Sequence, residues 1–161
     1  MNKLKELMPY ILIILVIVML RTFVITPVRV DGSSMKNTLQ NGDILLLYKM
    51  GKIDYQDIIV LKEEKDDEII IKRVIGMPGD TVSIKDNKIY VNDKVIDDFH
   101  AYGETSDYSK ITLGSDEYFI LGDNRLVSKD SRYFGPVKEK DIKGKVVFRL
   151  FPFSKFGFIK D

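Results

Sequence analysis

With 161 residues, 45% of them hydrophobic, the chain is long enough for one globular domain plus an apolar appendage. It has no cysteine and a single histidine, His100, which excludes disulfides, thiol nucleophiles, cysteine-based zinc sites and any multi-histidine metal centre. Net charge is +1, split as +2 over residues 1–26 and −1 over residues 27–161, so no basic face invites nucleic acid. Neither a metal nor a cofactor is expected.

Met8 to Leu20 is an unbroken apolar run of 13 residues, broken by Arg21 and resumed at Phe23-Val24-Ile25. Counted from Leu7 to Ile25 it reaches 19 residues, the length of a membrane span if Arg21 snorkels toward the headgroups. Pro9 is placed in the first helical turn, where its missing N–H costs little. Lys3 and Lys5 precede the run, and the positive-inside tendency then holds the N-terminus in the cytoplasm. A cleaved signal peptide would need a small-x-small site after the core, but the chain reads Arg21-Thr22-Phe23-Val24-Ile25-Thr26-Pro27-Val28. The expected division is a cytoplasmic N-terminus over 1–6, an uncleaved transmembrane anchor over 7–26 and an extracytoplasmic domain over 27–161. The protein is thus expected in the cell membrane, single-pass, with the bilayer as a partner.

Beyond Val28 the pattern is strand-like. Short runs rich in Val, Ile and Tyr recur at Ile44–Tyr48, Asp57–Leu61, Glu68–Ile75, Thr81–Ile84, Lys88–Val91, Tyr118–Leu121 and Lys145–Leu150. Asp86-Asn87 and Asn92-Asp93 fall between runs and suit tight hairpin turns. No convincing amphipathic helix follows the anchor, and Ile96 to Asp116 reads as an irregular polar excursion. The expected fold is mainly β, an antiparallel partly closed barrel or sandwich carrying one N-terminal transmembrane helix.

Ser34 stands in Gly32-Ser33-Ser34-Met35-Lys36-Asn37-Thr38-Leu39, just past the anchor. Serine needs a base to become a nucleophile, and with one histidine in the chain lysine is the other choice. A lysine serves only if burial penalises its charged form. Lys72 qualifies by pattern, because on a strand it shares a face with Ile70 and Val74. A strand-end lysine reaching solvent, and a plain Gly-Ser-Ser loop, fit the same local pattern.

Three segments in order resemble the bacterial type I signal peptidases, which are membrane-anchored serine/lysine proteases. Ser34 through Leu39 is similar to the family's Ser-Met-x-Pro-Thr-Leu box, and Lys72 through Asp80 to its Lys-Arg-Val-x-Gly-x-Pro-Gly-Asp box. Gly122 through Arg132 is similar to Gly-Asp-Asn-Arg…Ser-x-Asp-Ser-Arg, and Gly42-Asp43 fits a further short element. The resemblance runs from the anchor to Gly135. It implies Ser34 as nucleophile, Lys72 as general base, Ser128 as a hydroxyl orienting the lysine amine, and Asp130 with Arg132 as a supporting charged pair. It implies an oxyanion donor in the Ser34 N–H, whereas the second donor of some members, a hydroxyl two residues earlier, is Gly32 here. The implied partners are exported precursor proteins, cut after a signal peptide with small residues first and third before the cut. Such an extended segment would bind as an added strand, with the anchor holding enzyme and substrate in one plane.

Asn37 replaces the family's proline and would loosen the turn or use an Asx-type bond, and Val127 stands where relatives are often polar. These departures, with Gly32, motivate an alternative: a catalytically weak paralogue that binds exported chains or assists surface-structure assembly. A Ser-x-x-Lys reading through Ser33 and Lys36 lacks its Ser-Asp-Asn and Lys-Thr-Gly companions. Self-cleaving repressors share a Ser-Met turn, but here an anchor stands in place of a DNA-binding module. His100 reads as a surface residue, and Gly76–Asp80 lacks the Gly-Lys-Ser/Thr of a phosphate loop. The phenylalanines from Phe148 to Phe158 are expected in the core, the rival reading being a membrane-touching rim with Lys155 and Lys160.

Overall fold

A computed structural model describes residues 2–63 and 68–159. Lys160, and the side chains of Lys3 and Lys5, lie outside the described residues. Helix α1, Asn2–Met19, is followed by a π-helical turn at Leu20–Val24. Across the two, Glu6–Val24 is long and apolar enough to cross a membrane, and the side chains from Leu7 to Leu20 are exposed. Pro9 is interior to this helix rather than in its first turn, because the good helix formers Lys3 to Glu6 extend α1 back to Asn2. The chain turns extended at Ile25, inside the segment expected to belong to the anchor.

The strands in chain order are β1 (Ile25–Arg29), β2 (Ile44–Tyr48), β3 (Ile58–Lys62), β4 (Ile69–Gly76), β5 (Thr81–Lys85), β6 (Lys88–Val91), β7 (Lys94–Val95), β8 (Tyr108–Thr112) and β9 (Glu117–Leu121). A short helix α2 (Ser131–Phe134), then β10 (Val137–Lys138), β11 (Ile142–Phe151) and β12 (Gly157–Phe158) complete the set. All pairings between these strands are antiparallel, and an isolated parallel bridge joins Tyr102 to Asn124. The larger sheet runs β1-β2-β11-β3-β4-β9-β10, with β12 hydrogen-bonded to β11, and the smaller runs β7-β6-β5-β8. The mainly β expectation holds, in its open, sandwich-like form: neither sheet closes into a barrel.

The two expected hairpin turns form. Asp86, Asn87, Asn92 and Asp93 take φ of 51°, 60°, 51° and 63°, the left-handed pairs that two-residue turns demand and that Asn and Asp tolerate. The segment read as an irregular excursion contains β8, which pairs Val82 with Ile111 and completes the smaller sheet. Its Tyr-Ser-Lys-Ile-Thr sequence is mostly exposed and so lacks clean apolar alternation.

Three apolar clusters fix the layers. Ile75, Phe119 and Leu121 of the larger sheet meet Val82, Ile84, Ile89 and Val91 of the smaller. Ile59, Leu61, Val74 and Ile120 fill a second cluster. In the third, Met35 and Leu39 pack against Leu45, Leu47, Ile58, Val60 and Ile71. Burying Met35 and Leu39 contributes about 2 kcal/mol each and pins both ends of the turn that begins at Ser34. The C-terminal phenylalanines do not enter a core: Phe153 and Phe158 are 80% and 78% exposed. Phe156 and Phe158 instead stack edge-on against Phe148, outside a cluster already filled by Leu45, Leu47 and Ile58.

Candidate active site

β4 carries the proposed base. Its register sets Lys72 opposite Ile59 of β3 and puts Val74 on the same face, so the lysine stem lies among aliphatic side chains. Lys72 is 3% exposed, not the solvent-reaching residue that its local pattern also allowed. β9 pairs with β4 only from Arg73 onward, which leaves one backbone edge of Ile69 to Lys72 outside that pairing.

Ser34 comes to meet it from the loop after β1. Lys36 N–H bonds the Ser33 carbonyl and Leu39 N–H the Met35 carbonyl, closing successive turns. Asn124 holds the loop from the other side: its N–H donates to the Ser34 carbonyl at 2.9 Å and its Nδ2 to the Ser33 carbonyl at 3.1 Å. Lys72 Nζ then lies 2.8 Å from Ser34 Oγ. Burial pushes the Lys72 amine down from 10.5 to about 8, although the carboxylates of Asp130 and Asp123 act to raise it.

The third segment packs behind the pair. Gly122 has no room for a side chain, since a Cβ there would overlap Ser128 Oγ and come within 2.7 Å of the Ser34 carbonyl oxygen. Ser128 is buried at 3% exposure, and its hydroxyl makes no hydrogen bond among the described residues. The expected bond to the Lys72 amine is therefore not formed, the hydroxyl lying against Gly122. Arg132 and Asp130 form an ion pair: Nε donates to Oδ1 at 2.8 Å and Nη2 to Oδ2 at 3.0 Å, a bidentate geometry. Asp130 also caps α2 through the Arg132 N–H and accepts from the Gly122 N–H, so one buried carboxylate ties the helix to the glycine.

A second charged pair went unassigned in the sequence. Arg73, 1% exposed, donates through Nε and Nη2 to both oxygens of Asp123 at 2.9 and 2.8 Å. Thr38 Oγ1 donates to the same carboxylate, and Arg149 Nη2 donates to the Thr38 carbonyl. The turn carrying Ser34 is thus bolted to β4, to the Asp123 loop and to β11. The available signal was Arg73 itself, a cation on an otherwise apolar strand that must find a partner once buried. Asn37 has φ of 92°, a region proline cannot enter.

Among the described residues no cluster of His, Asp and Glu is arranged to hold a metal ion. The profile described as "Signal peptidase, peptidase S26" matches residues 4–151. Signal peptidase I of Streptococcus pneumoniae is 36% identical, the match covering 97% of each chain. Signal peptidase I of Bacillus caldolyticus is 38% identical over 93% of this chain and 92% of its own, and signal peptidase IB of Staphylococcus aureus is 35% identical over 96% and 94%. The crystal structure of a signal peptidase I from Enterococcus faecalis superposes with a TM-score of 0.55 at 31% identity, covering 60% of this chain and 97% of that one. With sequence boxes, fold and near full-length relatives in agreement, the chain belongs to the S26 signal peptidase family.

Proposed function

We propose that the protein is a membrane-anchored serine endopeptidase that removes signal peptides from exported precursor proteins, with Ser34 as nucleophile and Lys72 as general base. The observation that carries this reading is the 2.8 Å approach of a buried lysine amine to a serine hydroxyl. While Lys72 is an ammonium it donates to Ser34 Oγ. Once it loses a proton the direction reverses, and the hydroxyl donates to the free lone pair. Attack by Oγ on the scissile carbonyl then passes the serine proton to Lys72, which delivers it to the departing amine. In deacylation the same amine takes a proton from water. The Ser34 N–H faces the developing oxyanion. We assign orientation of the amine to Ser128, whose buried hydroxyl makes no hydrogen bond among the described residues and so keeps its donor for that role. Asp130 and Arg132 hold the shape of the site.

An extended substrate is accommodated as an added strand. The groove beside the pair, about 670 Å³, runs between Val28–Gly32 and Glu68–Ile71, and its floor is apolar through Val30, Met35 and Ile71. Main-chain bonds supply affinity there, and the shallow apolar floor accepts small side chains. α1 holds enzyme and precursor in one bilayer, and the domain after the anchor stands on the extracytoplasmic side.

The test is cleavage of a labelled precursor by the full chain in detergent. Ser34→Ala and Lys72→Ala each abolish cleavage, and Lys72→Arg does too, because a guanidinium does not yield its proton. Ser33→Ala and Lys36→Ala retain most of it. An active Lys72→Ala would overturn the assignment.

A further inference from the structure

Two cavities meet at Ser34 and Lys72. The larger is the groove just described. The smaller, about 230 Å³, shares Asp31, Gly32, Ser34, Glu68, Ile70 and Lys72 with it but is walled on the far side by Val127, Lys129 and Phe134. Val127 and its neighbour Leu126 are 60% and 63% exposed, an apolar pair held out to solvent beside the dyad.

They are held there firmly. Between the pair and Asn124, the Arg125 side chain is buried, and it donates to both oxygens of Asp98, to Thr105 Oγ1 and to the Gly122 carbonyl. Tyr102 N–H donates to the Asp123 carbonyl at 2.7 Å, and Arg125 N–H to the Tyr102 carbonyl at 2.9 Å. Leu126 lies over Gly103, where a Cβ would overlap its side chain. Tyr102, next in chain and bridged through its backbone to the Asp123–Arg125 stretch, is 48% exposed. A stretch of chain rigidified by a buried ion pair, yet presenting leucine, valine and tyrosine to water, is built to be covered.

Resting on the peptidase reading, the occupant follows from direction. The residues before the cut lie in the larger groove and the attacked carbonyl lies at Ser34. The chain after the cut leaves through the smaller cavity and passes over Val127. We propose that Leu126, Val127 and Tyr102 form a shelf that binds the first residues after the scissile bond and favours apolar side chains there. The shelf is specific to the released chain, whereas the larger groove reads the segment discarded.

The test uses the full chain in detergent with three precursors identical except at the first two positions after the cut, which are Leu-Leu, Ser-Ser or Asn-Asn. An open apolar surface discriminates at the low end of what hydrophobic sites achieve, so kcat/KM for Leu-Leu exceeds that for Ser-Ser and Asn-Asn by about 5–10-fold. Val127→Ser combined with Leu126→Ser brings both ratios to about 1, with the melting temperature unchanged because both side chains are exposed. Equal kcat/KM for the three precursors with the parent, or ratios untouched by the double substitution, overturns the shelf alone. Failure to cleave any of the three overturns the peptidase reading, and the shelf with it.

Discussion

Lys72 shows how one residue couples chemistry to stability. Its folded value of about 8 lies below the ordinary 10.5 because burial penalises the ammonium. Below pH 8 both folded and unfolded chains carry the proton, and the buried charge destabilises the fold by on the order of 3 kcal/mol relative to a neutral amine. Between about 8 and 10.5 the unfolded chain holds more protons than the folded one, so stability rises with pH and the penalty fades. Cleavage is expected to climb through pH 8 as the amine becomes free to act as a base. Lys72→Met should be inactive yet melt at or above the parent at pH 7, the gap closing above pH 10. A pH–rate profile with paired melting curves checks both, and a clearly less stable Lys72→Met would mark Lys72 as a charged structural partner. The apolar company of Lys72 was legible from Ile70 and Val74. The resting position of Ser128 was not, because nothing in a one-dimensional pattern shows which way a hydroxyl turns.

At the scale of elements, the turn from Ser34 to Leu39 is the part the sequence described least well. Asn37 reads as a loosened proline, but its φ of 92° makes it a distinct turn held by Met35, Leu39 and the Thr38 bonds to Asp123 and Arg149. Asn37→Gly keeps that backbone and should leave kcat within about twofold, whereas Asn37→Pro, locked near −65°, should lower kcat by ~10-fold or more. Equal activity of the two variants would show that the turn does not depend on this conformation. Most strands were legible where one or both faces are buried, as Ile44–Tyr48 and Lys88–Val91 show. β8 and β12 escaped because an exposed edge or a two-residue pairing places no period on the sequence. The bolt between Arg73 and Asp123 escaped for a different reason: its halves are far apart in sequence and only the sheet brings them together.

For the whole molecule, Glu6–Val24 is long and apolar enough to cross a membrane, and Phe153 and Phe158 stand exposed near the other end of the chain. Protease added outside intact cells should digest the region after Pro27 and spare the extreme N-terminus, and a reporter fused after Asp161 should report extracytoplasmic. A cytoplasmic reporter would reverse the orientation. The site itself is drawn from three distant stretches: Ser34 from the loop after β1, Lys72 from β4, and the Asn124 tether from beyond β9. The pair therefore depends on tertiary structure, and local opening of the larger sheet would part Ser34 from Lys72 and silence the site without any change in either residue.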